Sequence, residues 1–217
     1  MFIKEYISKD YPAFSITESL QKVKPLIHQS GFSHVFIQSK GRLLGAISKD
    51  KICRSDADSL EDLQPYLERF AMLEDSTILD SIRILKSFNA NVIPIINSEE
   101  KYLGSISIVN IFQEFSQYPF FWENGAILIV EVDEREYSMT EIAKIVEGNN
   151  AKFYGAFIYH CDQGKIQVVV KVSRDNLSSI DETFDRFGYR VVHKFYSDLR
   201  DELLKDRLGF LQKYMEI

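Results

Sequence analysis

Residues Gly104–Ile111 read GSISIVNI, and 59 positions earlier residues Gly45–Ile52 read GAISKDKI. The echo extends outward at the same offset, setting Leu20 on Leu79, Leu26 on Leu85, Ile37 on Ile96, Leu44 on Leu103, Ser48 on Ser107 and Ile52 on Ile111. A constant offset held over so many positions is the mark of a duplicated supersecondary unit. The first half of the chain is therefore expected to contain one unit written twice.

Both copies share an internal order. Apolar residues at helical spacing come first, Leu20, Val23, Leu26 and Ile27, then Leu79, Ile82 and Leu85. Ser15 or Thr17 is expected to cap the first helix, and Asp75 or Ser76 the second. Two short β-branched or aromatic runs follow, HVFIQ from His34 and VIPII from Val92, each too brief for a helix. After a turn, SKGR or NSEEK, comes a second strand, LLGAIS or YLGSIS, and then the start of another helix. A lone glycine inside that strand marks the close approach of a backbone or a ligand, or tight packing. Between the copies, Ser59 with Asp62 is expected to cap a short connecting helix carrying Leu60, Leu63, Tyr66 and Leu67.

Composition narrows the function classes. The chain has 217 residues, 45% of them apolar, and a formal net charge of -6. That length allows one large or two smaller domains, and the acidic balance argues against a nucleic-acid partner, which would draw on clustered Lys and Arg. The opening MFIKEYISKDYP lacks a signal peptide's apolar core and no apolar run approaches a membrane span, so a cytoplasmic protein without membrane contact is expected. Cys53 and Cys161 stand far apart, outside any CxxC spacing, and are read as reduced structural thiols. His28, His34, His160 and His193 are scattered, with no nucleophile–base or metal-ligand motif around them. No catalytic residue, metal or cofactor is expected, and the chain is read as a non-enzyme.

After Gln113, EFSQYPFFWENG gathers Tyr118, Phe120, Phe121 and Trp122 around Pro119 and marks a boundary. These rings are expected to pack a domain junction, with a partner patch as the alternative. Beyond them the patterning predicts a strand in AILIVEVDE, a helix in SMTEIAKIVEGNN, strands in KFYGAFIYHC and KIQVVVKVS, a helix in NLSSIDETFDRFG and a strand in YRVVHKFY. That order, βαββαβ, is the ferredoxin-like split unit. The tail opens on Ser197 and sets Leu204, Leu208, Leu211 and Met215 at helical spacing, for packing on its own sheet or for a dimer contact.

The phrase VIPIINSEEKYLGSIS, with Pro94 between Ile93 and Ile95, and its partner HVFIQSKGRLLGAIS, with Val35 taken at the proline's place, resemble the cystathionine-β-synthase (CBS) motif. A CBS pair followed by a βαββαβ unit is similar in layout to the bacterial acetoin-utilisation B-type proteins, whose last domain is ACT-like. The resemblance implies an α+β or α/β chain: β-α-β-β-α units over residues 1–58 and 59–117, a linker at 118–125, an ACT-like domain at 126–196 and a C-terminal helix at 197–217. It implies a regulatory module that senses an adenine-containing ligand of the adenosine-nucleotide class and works as a homodimer through the ACT-like domain. The alternative is an assembly scaffold, with an unidentified protein partner, whose CBS clefts are vestigial. The loop Asp133–Ser138, DEREYS, lacks the glycine that amino-acid-binding ACT domains place there.

Carried over by residue, the strand-end hydroxyl that meets phosphate in nucleotide-binding CBS modules is Ser48 in one copy and Ser107 in the other. The acid that holds the ribose hydroxyls is replaced by Lys51 and Asn110, with Asp50 one position early. A lysine has three donors and no acceptor, so Lys51 suits a phosphate but not a diol. Asn110 keeps one acceptor oxygen, which makes its cleft the less impaired of the two on residue type alone.

Overall fold

The computed structural model describes residues 2–195, so the helix expected over 197–217 lies outside the described residues. The chain divides into two compact units, residues 1–117 and 118–217.

In the first unit, copy one runs β1 (Ala13–Ser15), α1 (Leu20–Gln29), β2 (His34–Ser39), β3 (Arg42–Ser48) and α2 (Lys49–Arg54). Copy two repeats it as β4 (Met72–Leu73), α3 (Ile78–Ser87), β5 (Val92–Ile96), β6 (Tyr102–Ser107) and α4 (Ile108–Phe115). In each three-stranded sheet the opening strand lies parallel to the next, and that strand pairs antiparallel with the third. The connecting segment is a 3-10 helix, Glu61–Tyr66, and Asp62 accepts both the Ser59 amide and the Ser59 hydroxyl.

The repeat is not gapless. The first helices begin at Leu20 and Ile78, 58 positions apart, whereas the strand ends Ser48 and Ser107 are 59 apart. The extra residue falls in the turn between Ile96 and Tyr102. Burial agrees, since Leu20 and Ile78 are both fully buried while Leu79 is half exposed. The pairings Phe36 with Ala46 and Pro94 with Ser105 make Phe36, not Val35, the counterpart of the proline. Nor do the expected residues cap the helices: Ser19 accepts the Gln21 amide, and Thr77 forms a reciprocal cap with Asp80. Ser15 and Thr17 are instead bonded to each other in the preceding turn.

The segments leading into the copies cross over. Ser8, ahead of β1, pairs through both backbone bonds with Ser105 on β6, while Glu68, ahead of β4, does the same with Ala46 on β3. This answers the question of the strand glycines. A Cβ on Gly45 would lie 2.8 Å from the Glu68 carbonyl oxygen, and one on Gly104 would fall on the Ser8 carbonyl oxygen and the Ile7 side chain. Both also hold φ near +150°, a region that favours glycine. Reciprocal bonds between Ser33 and Asn91, and between the two hairpin turns at Arg42 and Lys101, close the pseudo-two-fold arrangement.

The second unit begins with a short helix, α5 (Pro119–Trp122), then β7 (Ala126–Asp133), α6 (Met139–Gly148), β8 (Phe153–Asp162), β9 (Lys165–Val172), α7 (Leu177–Arg186) and β10 (Arg190–Phe195). Its sheet is antiparallel throughout, in the order β10-β7-β9-β8. Alternate residues such as Leu128, Val130, Val168 and Val170 bury against Ile142, Val146, Ile180 and Phe184 of the two helices. Of the boundary aromatics, Phe120 packs over Gly155 and Phe157 within this unit, and Phe121 and Trp122 are mostly exposed.

Candidate functional site

The strand ends of β3 and β6 look alike in sequence but differ in what their hydroxyls do. On β6, Ser107 donates to Asn110 Oδ1 at 2.6 Å and accepts the Asn110 amide at 3.2 Å, while the Ser107 amide also reaches Asn110 Oδ1 at 3.1 Å. This capping box uses the one acceptor oxygen of Asn110 on the start of its own helix. On β3, Lys51 has no acceptor to complete such a box, and Ser48 makes no side-chain cap bond. The Lys51 ammonium instead lies 4.9 Å from the centre of the Tyr66 ring, a contact worth about 0.5–1 kcal/mol at an exposed site.

The half-buried Ser48 faces two cavities. The first, about 480 Å³, is bounded by the loop at Gly31–His34, by Ser48–Asp50, by Glu68 and by the turn around Phe88 and Asn91. The second, about 510 Å³, shares Ser48 and Asp50 and adds Lys51, Arg54, Ser55 and Tyr66. Asp50, one position early for the family pattern, thus lines both. Its carboxylate is highly exposed, with the Arg54 guanidinium 3.7 Å away. Pro94 belongs to neither cavity; it is buried in β5 opposite Ser105.

Several members of the first cavity escape a reading by residue type. Lys49 fixes the loop by donating its backbone amide to Ser33 O at 2.7 Å and its ammonium to Ser30 O at 3.0 Å. Asn91 bonds both Ser33 and the Gly31 carbonyl across the copies. His34 is 3% exposed, with Nδ1 2.8 Å from Ser33 Oγ and Nε2 3.7 Å from Glu68, edge-on to Phe70. Burial holds its pKa below the ordinary histidine value, and the Glu68 carboxylate only partly opposes this. The signal that could have found His34 is its counterpart, the apolar Val92.

The other histidines and cysteines do not converge. Cys53 Sγ lies 3.8 Å from His28 Nε2 near the surface, and Cys161 is an exposed thiol on β8. Among the described residues no group of three or more His, Cys, Asp or Glu is placed to hold a metal, and no helix is long and apolar enough to cross a membrane.

Comparison with known proteins places the first copy. The CBS domain family model matches residues 3–58. No curated protein matches the chain. Similar solved structures include a CBS domain pair/ACT domain protein from Thermotoga maritima, 15% identical, over 53% of this chain and 96% of that one, with a TM-score of 0.48. Another is a CBS domain pair in complex with 5′-methylthioadenosine and S-adenosyl-L-methionine, 16% identical over 53% and 99%, TM-score 0.45. A third is CBSX2 in complex with AMP, 12% identical over 54% and 96%, TM-score 0.44.

Proposed function

We propose that this chain is a non-catalytic, cytoplasmic regulatory module, and that the first-copy cleft beside Ser48 takes an adenosine-class ligand. The observation that carries the reading is the Ser48 hydroxyl, unused by its own helix and set in the wall of a polar cavity. Adenosine asks a site for flat apolar walls, a hydrogen-bond rim and an acceptor for its two ribose hydroxyls. Phe32 and Phe88 supply the walls, Asn91 and Ser48 the rim, and Asp50 the carboxylate. A phosphate on the same ligand would extend into the neighbouring cavity, where Lys51 and Arg54 carry positive charge. The second unit, a ferredoxin-like βαββαβ domain of ACT-like type, passes the change on and pairs two chains as a homodimer. In layout this is the arrangement of the acetoin-utilisation B-type proteins, without assignment to their pathway.

The second reading, an assembly scaffold, is favoured by one observation: Ser107 and Asn110 satisfy each other, which closes the other copy's site to a ribose. Thermal-shift measurements with AMP, ADP, ATP, NAD and S-adenosylmethionine separate the two. A ligand at a hundred times its Kd stabilises the folded state by about 2.7 kcal/mol, which is several degrees in Tm. A shift with at least one member, lost in Asp50→Asn, supports the sensor. No shift across the panel supports the scaffold.

A further inference from the structure

Gly148 is a glycine that neither the backbone nor the packing of α6 requires. It ends the helix without a left-handed φ, the left-handed residue of the following turn being Asn150, and a Cβ built on it would meet no atom within 4 Å. Alanine would favour the helix more, and a glycine kept inside a helical pattern points to a packing or functional reason. What Gly148 borders is open space, a groove of about 610 Å³ between α6 and α7. The two helices run antiparallel, with Asn176 at the start of α7 donating to the Asn149 carbonyl at the end of α6 at 2.8 Å. The groove's floor includes Thr183, 8% exposed, whose hydroxyl donates to the Ser179 carbonyl and accepts from Asn149 Nδ2 and, at 2.9 Å, from Arg186 Nη2. That bond holds the Arg186 guanidinium on the groove and uses one of its five N–H donors. Lys144 lines the other wall, from α6, and among the described residues neither cation is in an ion pair.

We infer that the α6/α7 groove is a second ligand site, for a small monocarboxylate with a flat apolar body. Lys144 and Arg186, set against the single acid of the lining, Glu141, leave one net positive charge on the walls, which one carboxylate neutralises. The planar fork of Arg186 matches a carboxylate bidentately, and Lys144 adds a point charge from the facing helix. Phe187, 55% exposed, and Ile145 offer the apolar surface that a ring would cover. An α-amino acid fits less well, because Glu141, the acid that could receive its ammonium, interacts with the buried Tyr189 hydroxyl. A phosphomonoester would bring a second negative charge with no cation left to meet it. The groove lies within the second unit and shares no residue with the Ser48 cleft, so either site can fail alone.

The test titrates the isotope-labelled full chain with phenylpropionate and follows backbone amides by NMR. The amides of Asn149 and Phe187 should shift saturably by about 10 mM, an ordinary range for so small a ligand. Phenylpropionamide keeps the ring and lacks the charge, and it should bind about tenfold more weakly, the worth of one hydrogen bond to a charged group. L-Phenylalanine and phenyl phosphate should also bind more weakly than phenylpropionate. Gly148→Leu fills the groove from a position where the helix accepts a side chain, so Tm should hold or rise while the saturable shift disappears. Arg186→Gln should weaken binding about tenfold. The inference is overturned if phenylpropionate gives no saturable shift, or if the amide, the amino acid or the phosphate binds as tightly as the acid. It is equally overturned if folded Gly148→Leu protein binds as the wild type does.

Discussion

Ser48 and Ser107 are the same residue at equivalent strand ends, and they do different work because of the residue three positions on. Asn110 returns both polar groups to its own serine, whereas Lys51 has nothing to return. Residue type alone ranked the Asn110 cleft as the less impaired, since it asked what a side chain can accept and not whether the acceptor was already taken. His34 shows the same limit, its importance coming from burial beside Glu68 and not from any motif. Its folded pKa lies below the ordinary 6.5, so its stability contribution is present above pH 6.5 and is lost as pH falls through the lowered folded value, because only the unfolded chain then binds the proton. Thermal melts between pH 7.5 and 5 should show Tm falling in the wild type and a flatter profile in His34→Gln. Equal slopes would show that His34 is not the group responsible.

At the level of elements, the repeat was legible because the short apolar strand runs and the Gly-x-Ile-Ser endings survive in both copies. The one-residue slip was not, because the 59-residue offset that fits the second strands also puts an apolar residue of each helix near an apolar residue of the other. Only burial separates Leu79, half exposed, from Ile78. The glycines were flagged, and their cause required the crossover that brings Glu68 and Ser8 alongside. Gly45→Ala and Gly104→Ala should each destabilise by about 1–3 kcal/mol from backbone strain. Gly104→Ala should be the worse, since its methyl meets both a carbonyl oxygen and the Ile7 side chain; urea unfolding with comparable losses at an exposed strand position such as His160→Ala would contradict this. In the second unit's sheet, Glu131 on β7 receives Gln167 Nε2 at 2.8 Å, Arg190 Nη2 at 2.7 Å and Lys165 Nζ at 3.4 Å. These bonds, the Gln167 one foremost, hold its pKa down at about 2 against an ordinary 4.5. The clamp's contribution is therefore whole above pH 4.5 and is lost as pH falls toward 2. Acid denaturation of Glu131→Gln should begin from a lower stability and show a shallower slope across that window; an unchanged slope would contradict the assignment.

For the whole molecule, the boundary near Gln117 and the order of the second unit's elements could be read from the change in patterning at EFSQYPFFWENG. Periodicity carries element type and order, while pairing across copies depends on contacts 22 to 97 residues apart that no local pattern records. The functional account reduces to one claim, that copy one holds the ligand and copy two has turned its site into a helix cap. Isothermal calorimetry of wild type, Ser48→Ala and Ser107→Ala with AMP and with S-adenosylmethionine tests it directly, alongside the Tm of each protein. Ser48→Ala should keep its Tm and lose about tenfold in affinity, the worth of one hydrogen bond to a ligand, while Ser107→Ala should lose about 1 kcal/mol of stability with its cap and bind as wild type does. Binding lost in Ser107→Ala and kept in Ser48→Ala, or no binding by the wild type to either ligand, would contradict the account.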